Sequence, residues 1–449
     1  MIHTYTEALN WIHSRLRLGI KPGLKRMEWM LSRLENPEKI LRVIHVGGTN
    51  GKGSTVTYMR SILNEAGYSV GTFTSPFIEQ FNERISINGK PIDNDEITAL
   101  VNVVKPIAEE IEQTELGPAT EFEVITTMAF YYFSEIQRVD VALFEVGLGG
   151  RYDSTNVIRP VASVITNVGM DHMQILGNTI EEIAYQKAGI IKPNIPIFTA
   201  AQDKRVLSVL KQEAIQQKAP FYQIGEDFLI TEYHPIEHGE QFSYQSKWAS
   251  YDHLQVSLLG RHQTENAAAA LAALSYLQSI GQLNIRDVEF RVGLQKAFWP
   301  GRLERLYDRP LIFIDGPHNV QGVQAFKLAV ETHFPKEKIK LVFTALKDKD
   351  LTDMFTVINS MNVDLYLTEF DFPRAASVEE LQAKSSNTEA HCNKDWKNLI
   401  RTLVLSAKET DILAITGSLY FISEIKPFLK EMIQLRMETG SSFDLPKEK

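Results

Sequence analysis

The sequence predicts an α/β protein of two domains: a larger one on a mostly parallel sheet with a small β-rich patch, then a smaller α/β domain. Three observations carry this expectation. Short apolar runs of strand length alternate with stretches of helical apolar spacing along most of the chain. The run Val43-Ile44-His45-Val46 enters a glycine-rich turn, Gly47-Gly48-Thr49-Asn50-Gly51-Lys52-Gly53-Ser54, and helical spacing resumes at Val56, Met59, Leu63 and Ala66. Beyond Trp299-Pro300-Gly301-Arg302, the best hinge candidate, the alternation restarts.

Tyr5, Leu9, Ile12 and Leu16 recur at helical spacing, and a second helix runs through Met27, Met30, Leu31 and Leu34. After the glycine turn and its helix come a strand over Val70–Thr74 and a hairpin turning at Asn88-Gly89. Helices are expected over Asn94–Gln113 and Glu121–Gln137, then a near-continuous apolar strand from Val139 to Val146. Val161–Thr166 and Ile195–Thr199 read as strands, with helices at Thr179–Ile190 and Arg205–Gln217. Phe221–Leu259 reads as the β-rich patch, and helices at Gln263–Ile280 and Val288–Phe298 close the first domain. In the second, strands at Leu311–Ile314, Ile339–Phe343, Val363–Leu367 and Ile412–Ile415 are separated by helices, and a polar, disordered tail is expected after Glu438. The domains are thus 1–298 and 299–449.

The 449 residues exceed one ordinary core. A net charge of −9 argues against a general nucleic-acid binder but leaves room for a cleft of focused lysines and arginines around an anionic substrate. The single cysteine, Cys392, cannot form an internal disulfide. The first residues lack a signal peptide's basic-then-apolar order, and no run approaches the roughly 18 apolar residues of a membrane span. A cytoplasmic protein without membrane or nucleic-acid partners is expected.

Strand, glycine turn and helix together place backbone N–H groups and a helix N-terminus around an anion, and Lys52 adds a charge that can reach the outer phosphates of a nucleotide. The common pattern has a glycine at position 46 and a hydroxyl directly after the lysine; this chain has Val46 and Gly53, with the hydroxyl displaced to Ser54. Ligands of an open α/β sheet sit beyond the carboxyl ends of the strands. That rule selects Ser75, Glu145, Asp171 and His172, each ending or following a strand, as neighbours of Lys52 and plausible Mg2+ ligands. Ser75 before Pro76 is equally well turn chemistry, and His172 equally well a loop histidine. Lys187, near a helix end, reads from its position as a solvated charge on the helix dipole. Asp315-Gly316-Pro317-His318-Asn319 forms a polar loop after a strand, with Asn319 a natural N-cap.

Together these residues resemble the folylpolyglutamate synthase and dihydrofolate synthase family, within the wider group of ATP-dependent Mur-type ligases. The landmarks are Gly48–Ser54, Thr74-Ser75-Pro76, Glu145–Asn156, Thr166–His172, Lys187–Lys192, Pro300-Gly301-Arg302, Asp315–Asn319 and Thr416–Tyr420, in this order. Pro317 stands where the family more often has alanine. The resemblance implies a phosphate-loop domain followed by a Rossmann-like ligase domain, in a monomer. It implies ATP held by Thr49, Asn50, Gly51, Lys52, Gly53 and Ser54, with Asn266, Arg302 and Asp315 completing the nucleotide site. Of two Mg2+ ions, it assigns one to Ser75 and Glu145 and the second to His172. Lys187 becomes a further metal ligand once carbamylated, which reverses the reading from position alone. The folate would meet Gly23, Lys25 and Arg26, then Thr120, Glu121, Phe122 and Glu123, then Tyr152, Asp153 and Ser154. His318 would help position L-glutamate.

The implied reaction makes an amide. The γ-carboxylate of the folate attacks the γ-phosphate of ATP, and the amine of free glutamate displaces phosphate from the acyl phosphate, with the second domain closing to keep water out. The family also includes bifunctional members that make dihydrofolate from dihydropteroate. A cell-wall Mur ligase would carry a further N-terminal domain, and only 46 residues precede Gly47. A nucleotide switch without ligase activity would need neither the Asp315–Asn319 loop nor Arg302.

Overall fold

The computed structural model describes residues 1–19 and 21–439. The chain divides into two compact units, one comprising Met1–His234, Glu240–Ser257 and His262–Ala297, the other Pro235–Gly239, Leu258–Arg261 and the chain from Phe298 onward. The polar tail expected after Glu438 lies, from residue 440, outside the described residues. Among the described residues no helix is long and apolar enough to cross a membrane.

The larger unit is organised by an eight-stranded sheet. Its strands are β1 (Val43–Gly47), β2 (Val70–Phe73), β3 (Ile85–Ile87), β4 (Lys90–Pro91), β5 (Val141–Glu145), β6 (Ala162–Ile165), β7 (Ile197–Thr199) and β8 (Phe221–Gln223), in the order β4-β3-β2-β5-β1-β6-β7-β8. From β2 to β8 the pairings are parallel, and the β3–β4 hairpin adds antiparallel edges. Every residue of β1 and β5 is buried, as expected of strands covered on both faces. Asn88 and Gly89 both take positive φ, 53° and 80°, which closes the hairpin in the sense its strands require.

Helices cover the sheet where the apolar spacing predicts them. Tyr5–His13, Lys25–Ser32, Asn94–Glu112 and Glu121–Tyr131 share one core containing Ala8, Ile12, Met27, Met30, Val104, Phe130 and Phe144. The helix Lys52–Glu65 packs on Asp287–Lys296, where Gly293 permits close approach: a Cβ there would lie 2.5 Å from Ile62 Cα. The β-rich segment forms a three-stranded sheet of β9 (Phe228–Ile236), β10 (Gly239–Ser246) and β11 (Ser250–Val256).

Three local expectations change. The first helix stops at His13, and Leu16 opens a separate 3-10 turn, Leu16–Leu18, in which it is exposed. The helix from Glu121 passes at Tyr132 into a π-helical turn. Phe221–Gln223 belongs to the main sheet, as a parallel edge strand on β7, rather than to the β-rich patch.

The smaller unit holds a six-stranded sheet, β12 (Glu304–Asp308), β13 (Leu311–Ile314), β14 (Ile339–Phe343), β15 (Val363–Leu367), β16 (His391–Cys392) and β17 (Ile412–Thr416), in the order β12-β13-β17-β14-β15-β16. All pairings are parallel except β12 on β13. The polar edge strands β12 and β16 lack the apolar run that marks the inner ones. The core joins Phe313, Phe326, Leu341, Phe343, Met354, Phe355, Leu365 and Leu367.

Candidate active site

The glycine loop leaves the carboxyl end of β1, between β5 and β6, at the position where an open α/β sheet binds ligands. Two of its glycines have no substitute. At Gly48 (φ 144°) a Cβ would fall 2.0 Å from Thr166 Oγ1, and at Gly51 (φ 81°) 2.2 Å from Asn266 Oδ1. Asn266 thus stands against the loop. The segment after β6 fixes it: Thr49 N donates to Asn167 O and Asn50 N to Asn167 Oδ1, both at 2.9 Å, and Thr166 Oγ1 donates to Asn50 O at 2.5 Å. Thr49 Oγ1 accepts from Gly169 N at 2.9 Å. Ser54 is buried in the first helical turn.

Two lysines converge on one carbonyl of this loop. Lys52 Nζ donates to Gly48 O at 3.2 Å and Thr49 O at 3.1 Å, and Lys187 Nζ donates to Gly48 O at 3.0 Å. Lys187 is only 4% exposed, so the solvated helix-end reading fails. The cause is packing at the end of helix Ile180–Ala188: Gly150 and Gly189 let the 149–151 turn lie directly on it, and a Cβ at Gly189 would sit 2.2 Å from Arg151 Cα. Burial, and then the neighbouring Lys52, bring the Lys187 ammonium down to about 7, against the opposing pull of Asp171 and Asp153.

The acids gather at the same edge. Glu145, buried at the end of β5, has Oε1 3.9 Å from Lys52 Nζ, while its Oε2 accepts from Ser75 N at 3.3 Å. Asp171 is buried and accepts from His172 N at 2.8 Å; the His172 side chain is exposed on a residue of positive φ, 51°. Among the described residues no three His, Cys, Asp or Glu side chains form a metal-holding cluster. A hydroxyl and one carboxylate beside a phosphate loop instead fit Mg2+, which keeps several waters and takes much of its coordination from substrate phosphates.

The residues that the resemblance assigns to folate fall on three segments of the larger unit. Arg26 Nε donates to Glu123 Oε1 at 2.8 Å and its Nη2 to Lys21 O at 2.7 Å, which joins the 23–26 segment to the start of helix Glu121–Tyr131. Glu123 is buried and closes a capping box with Thr120, and Glu121 pairs with His13 Nδ1 at 2.9 Å. Lys25 opens helix Lys25–Ser32, and Gly23 has φ 129°. Phe122 lies so close to Gly147 that a Cβ there would be 2.5 Å from its Cζ. Tyr152 is exposed and Ser154 half-buried, but Asp153 is buried and bonds the turn itself: Oδ1 accepts from Thr155 N and Oγ1 at 3.0 and 2.5 Å, Oδ2 from Leu148 N at 2.8 Å.

In the smaller unit, Asp315 follows β13. Its Oδ1 accepts from Gly316 N at 3.0 Å and Leu303 N at 3.3 Å, and Arg302 Nη1 donates to Gly316 O at 3.0 Å. Burial raises the Asp315 carboxyl to about 6 despite Arg302. His318 Nδ1 lies 3.3 Å from Gly316 O, and Asn319 Oδ1 caps the next helix by accepting from Gly322 N at 2.8 Å.

Residues 46–274 match the Mur ligase middle domain, and residues 301–419 the "Mur ligase, glutamate ligase domain". The chain is 46% identical over 430 residues to the dihydrofolate synthase/folylpolyglutamate synthase of Bacillus subtilis, covering 96% of this chain and 100% of that one. It belongs to the folylpolyglutamate synthase/dihydrofolate synthase family of Mur-type ligases. Folylpolyglutamate synthase of Lacticaseibacillus casei is 35% identical over 427 residues, covering 95% and 98% of the two chains. A solved FPGS–AMPPCP–folate complex superposes with a TM-score of 0.83 at 33% identity, covering 95% of this chain and all of that one.

In this family member the smaller unit carries a feature that sequence reasoning misses. Three buried hydroxyls, Thr344, Thr416 and Ser418, have no hydrogen-bond partner among the described residues. They lie at the carboxyl ends of β14 and β17, beside Gly417, where φ is 112° and a Cβ would lie 1.9 Å from Thr344 O. The Thr416-Gly417-Ser418 run is the signal that could have found them, since a small polar stretch directly after an apolar strand sits where ligands bind.

Proposed function

We propose that this chain is an ATP-dependent ligase that adds L-glutamate to the γ-carboxylate of a folate. The observation that carries the reading is the convergence of Lys52 and Lys187 on one glycine loop, with Glu145 beside Lys52 and Ser75 bonded to Glu145, in a chain of which 95% or more matches each of two relatives named for folylpolyglutamate synthase. The loop N–H groups, the helix N-terminus and Lys52 receive the ATP phosphates, and Asn266, Arg302 and Asp315 contribute to nucleotide binding. Lys52 leaves the Gly48 and Thr49 carbonyls for the transferring phosphoryl group and offsets the charge that develops there. Ser75 and Glu145 would hold one Mg2+, and His172 with Lys187 a second. When bound, the ions would supply Lewis-acid polarisation of the phosphoryl oxygens.

The folate γ-carboxylate displaces ADP and becomes an acyl phosphate. The amine of glutamate adds to the acyl carbon, phosphate leaves, and the amide remains. For glutamate we assign the carboxyl edge of the smaller sheet, where the free hydroxyls of Thr344, Thr416 and Ser418 can donate to a carboxylate and His318 stands on the neighbouring loop. With its ammonium brought down to about 7, Lys187 presents an uncharged amine near neutral pH. That amine could add to CO2 and lose a proton, and the resulting carbamate would be an oxygen ligand for the metal. The folate stands on Phe122, Tyr152 and Ser154, next to Gly23, Lys25 and Arg26. The protein acts as a cytoplasmic monomer on small molecules.

A second reading, favoured by the identity to the Bacillus subtilis relative, is that dihydropteroate is accepted as well. Purified protein with ATP, Mg2+ and labelled glutamate, given tetrahydrofolate or dihydropteroate, tests both. ADP release that requires a folate and glutamate supports the ligase; hydrolysis indifferent to both refutes it. Label transfer to dihydropteroate decides the second reading.

A further inference from the structure

We propose that His45, Thr155 and Asp153 form a positioning relay that holds the Gly147–Leu148 turn, and Phe122 packed on it, against the strand that feeds the nucleotide loop. His45 lies on β1, two residues before Gly47, opposite Phe144 of β5. It is fully buried, and its Nε2 lies 2.8 Å from Thr155 Oγ1. Thr155 Oγ1 donates at 2.5 Å to Asp153 Oδ1, whose partner Oδ2 accepts from Leu148 N at 2.8 Å. A hydroxyl has one proton, and that of Thr155 goes to the carboxylate, so the bond to the imidazole must be donated by His45 Nε2–H. Burial pushes His45 down to about 3, so the ring is neutral and carries its one proton on Nε2. The chain therefore runs from His45 to Thr155 to the ionised Asp153, which accepts from Thr155 on one oxygen and from Leu148 N on the other.

The imidazole is not there for packing. Its strand neighbours Val43, Ile44 and Val46 are apolar, and a valine or isoleucine would continue that pattern. Among the described residues His45 Nδ1 has no hydrogen-bond partner, so the bond to Thr155 is the one polar contact the ring makes there. What the relay holds is tightly confined: at Gly147 an added Cβ would lie 2.5 Å from Phe122 Cζ and 3.1 Å from Asp153 Oδ2. A displaced Asp153 therefore releases the turn that carries Tyr152 and Ser154 and backs Phe122. The glycine loop is secured separately, through Thr166, Asn167 and Gly169, so its grip on nucleotide does not depend on the relay.

The proposal rests on the folate-ligase reading for its kinetic consequence, and Thr155→Val tests it by removing the hydroxyl at constant shape. We expect the KM for folate to rise about tenfold, with kcat and the affinity for a non-hydrolysable ATP analogue each held within about twofold, and Thr155→Ser to restore KM. Independently of any substrate, amide exchange in the 146–155 segment should quicken about tenfold in Thr155→Val and return toward wild type in Thr155→Ser. Unchanged exchange overturns the relay even if the ligase reading fails. In an active enzyme, so does an unchanged folate KM, an equal loss of folate and nucleotide binding, or a failure of serine to rescue. Wild-type protein that ignores folate while Thr155→Val still quickens exchange refutes the ligase reading and leaves the relay standing.

Discussion

Replacing Asp315 by asparagine should stabilise the folded protein at pH 8 while reducing its use of ATP. The carboxyl is 8% exposed, and both N–H groups it accepts meet the same oxygen, Oδ1, so an amide oxygen can receive them in place. Its ionisation lies at about 6 in the folded chain against 3.8 in the reference state. At roughly 1.4 kcal/mol per pH unit, the ionised form costs the folded state about 3 kcal/mol. The sign follows from proton counts. Between 3.8 and about 6 the folded state binds more protons than the unfolded one, so wild-type stability falls as pH rises through this window, and the full penalty is present above it. Asp315→Asn removes the penalty. Urea unfolding followed by tryptophan fluorescence should show a gain approaching about 3 kcal/mol at pH 8 and little difference at pH 4. No gain at pH 8, or an equal gain at both values, would refute the burial argument. A rise in the KM for ATP in the same variant would tie the destabilising charge to nucleotide binding.

Lys52→Ala should lower kcat by about 100- to 1,000-fold, the loss usual for one preorganised charge at a developing anion. The melting temperature should change little, because Gly48 O keeps its bond from Lys187; near-normal kcat would contradict the assigned role. Lys187→Ala should reduce activity and recover partly with added short carboxylic acids, and full activity without them would exclude the carbamate. Lys426 and Glu304 form a buried pair, with Nζ 2.7 Å from Oε1, and Gly301 N also donates to Glu304 Oε2 at 2.8 Å. Lys426→Ala should cost about 3–5 kcal/mol of stability by stranding that carboxylate, and adding Glu304→Gln should return much of the loss in the same unfolding assay.

Much of this architecture is legible in the chain because its signals are local. The apolar run through β5, the glycine turn after β1 and the Asn88-Gly89 hairpin each carry their own backbone preference, and the structure follows them closely. The carboxyl-edge rule likewise selects Ser75 and Glu145 beside Lys52, since the end of a parallel strand is defined by sequence alone. Edge strands escape notice where polarity hides them, as in β12 and β16, and β8 goes to the wrong sheet because a three-residue strand does not declare its partner.

Burial and partnership could come only from the tertiary structure, because both depend on segments far apart in sequence. Lys187 looks like any helix-end lysine until the 149–151 turn packs over it and Gly48, 139 residues away, supplies its acceptor. Asp153 looks available to a substrate until Thr155 and Leu148 occupy its oxygens, and His45 looks like one more strand residue until Thr155, 110 positions on, accepts its N–H. Sequence determined where the sheet ends and what chemistry stands there. Folding decided which of those groups face a ligand and which hold the others in place, since an ionisable or hydrogen-bonding side chain takes its role from what surrounds it.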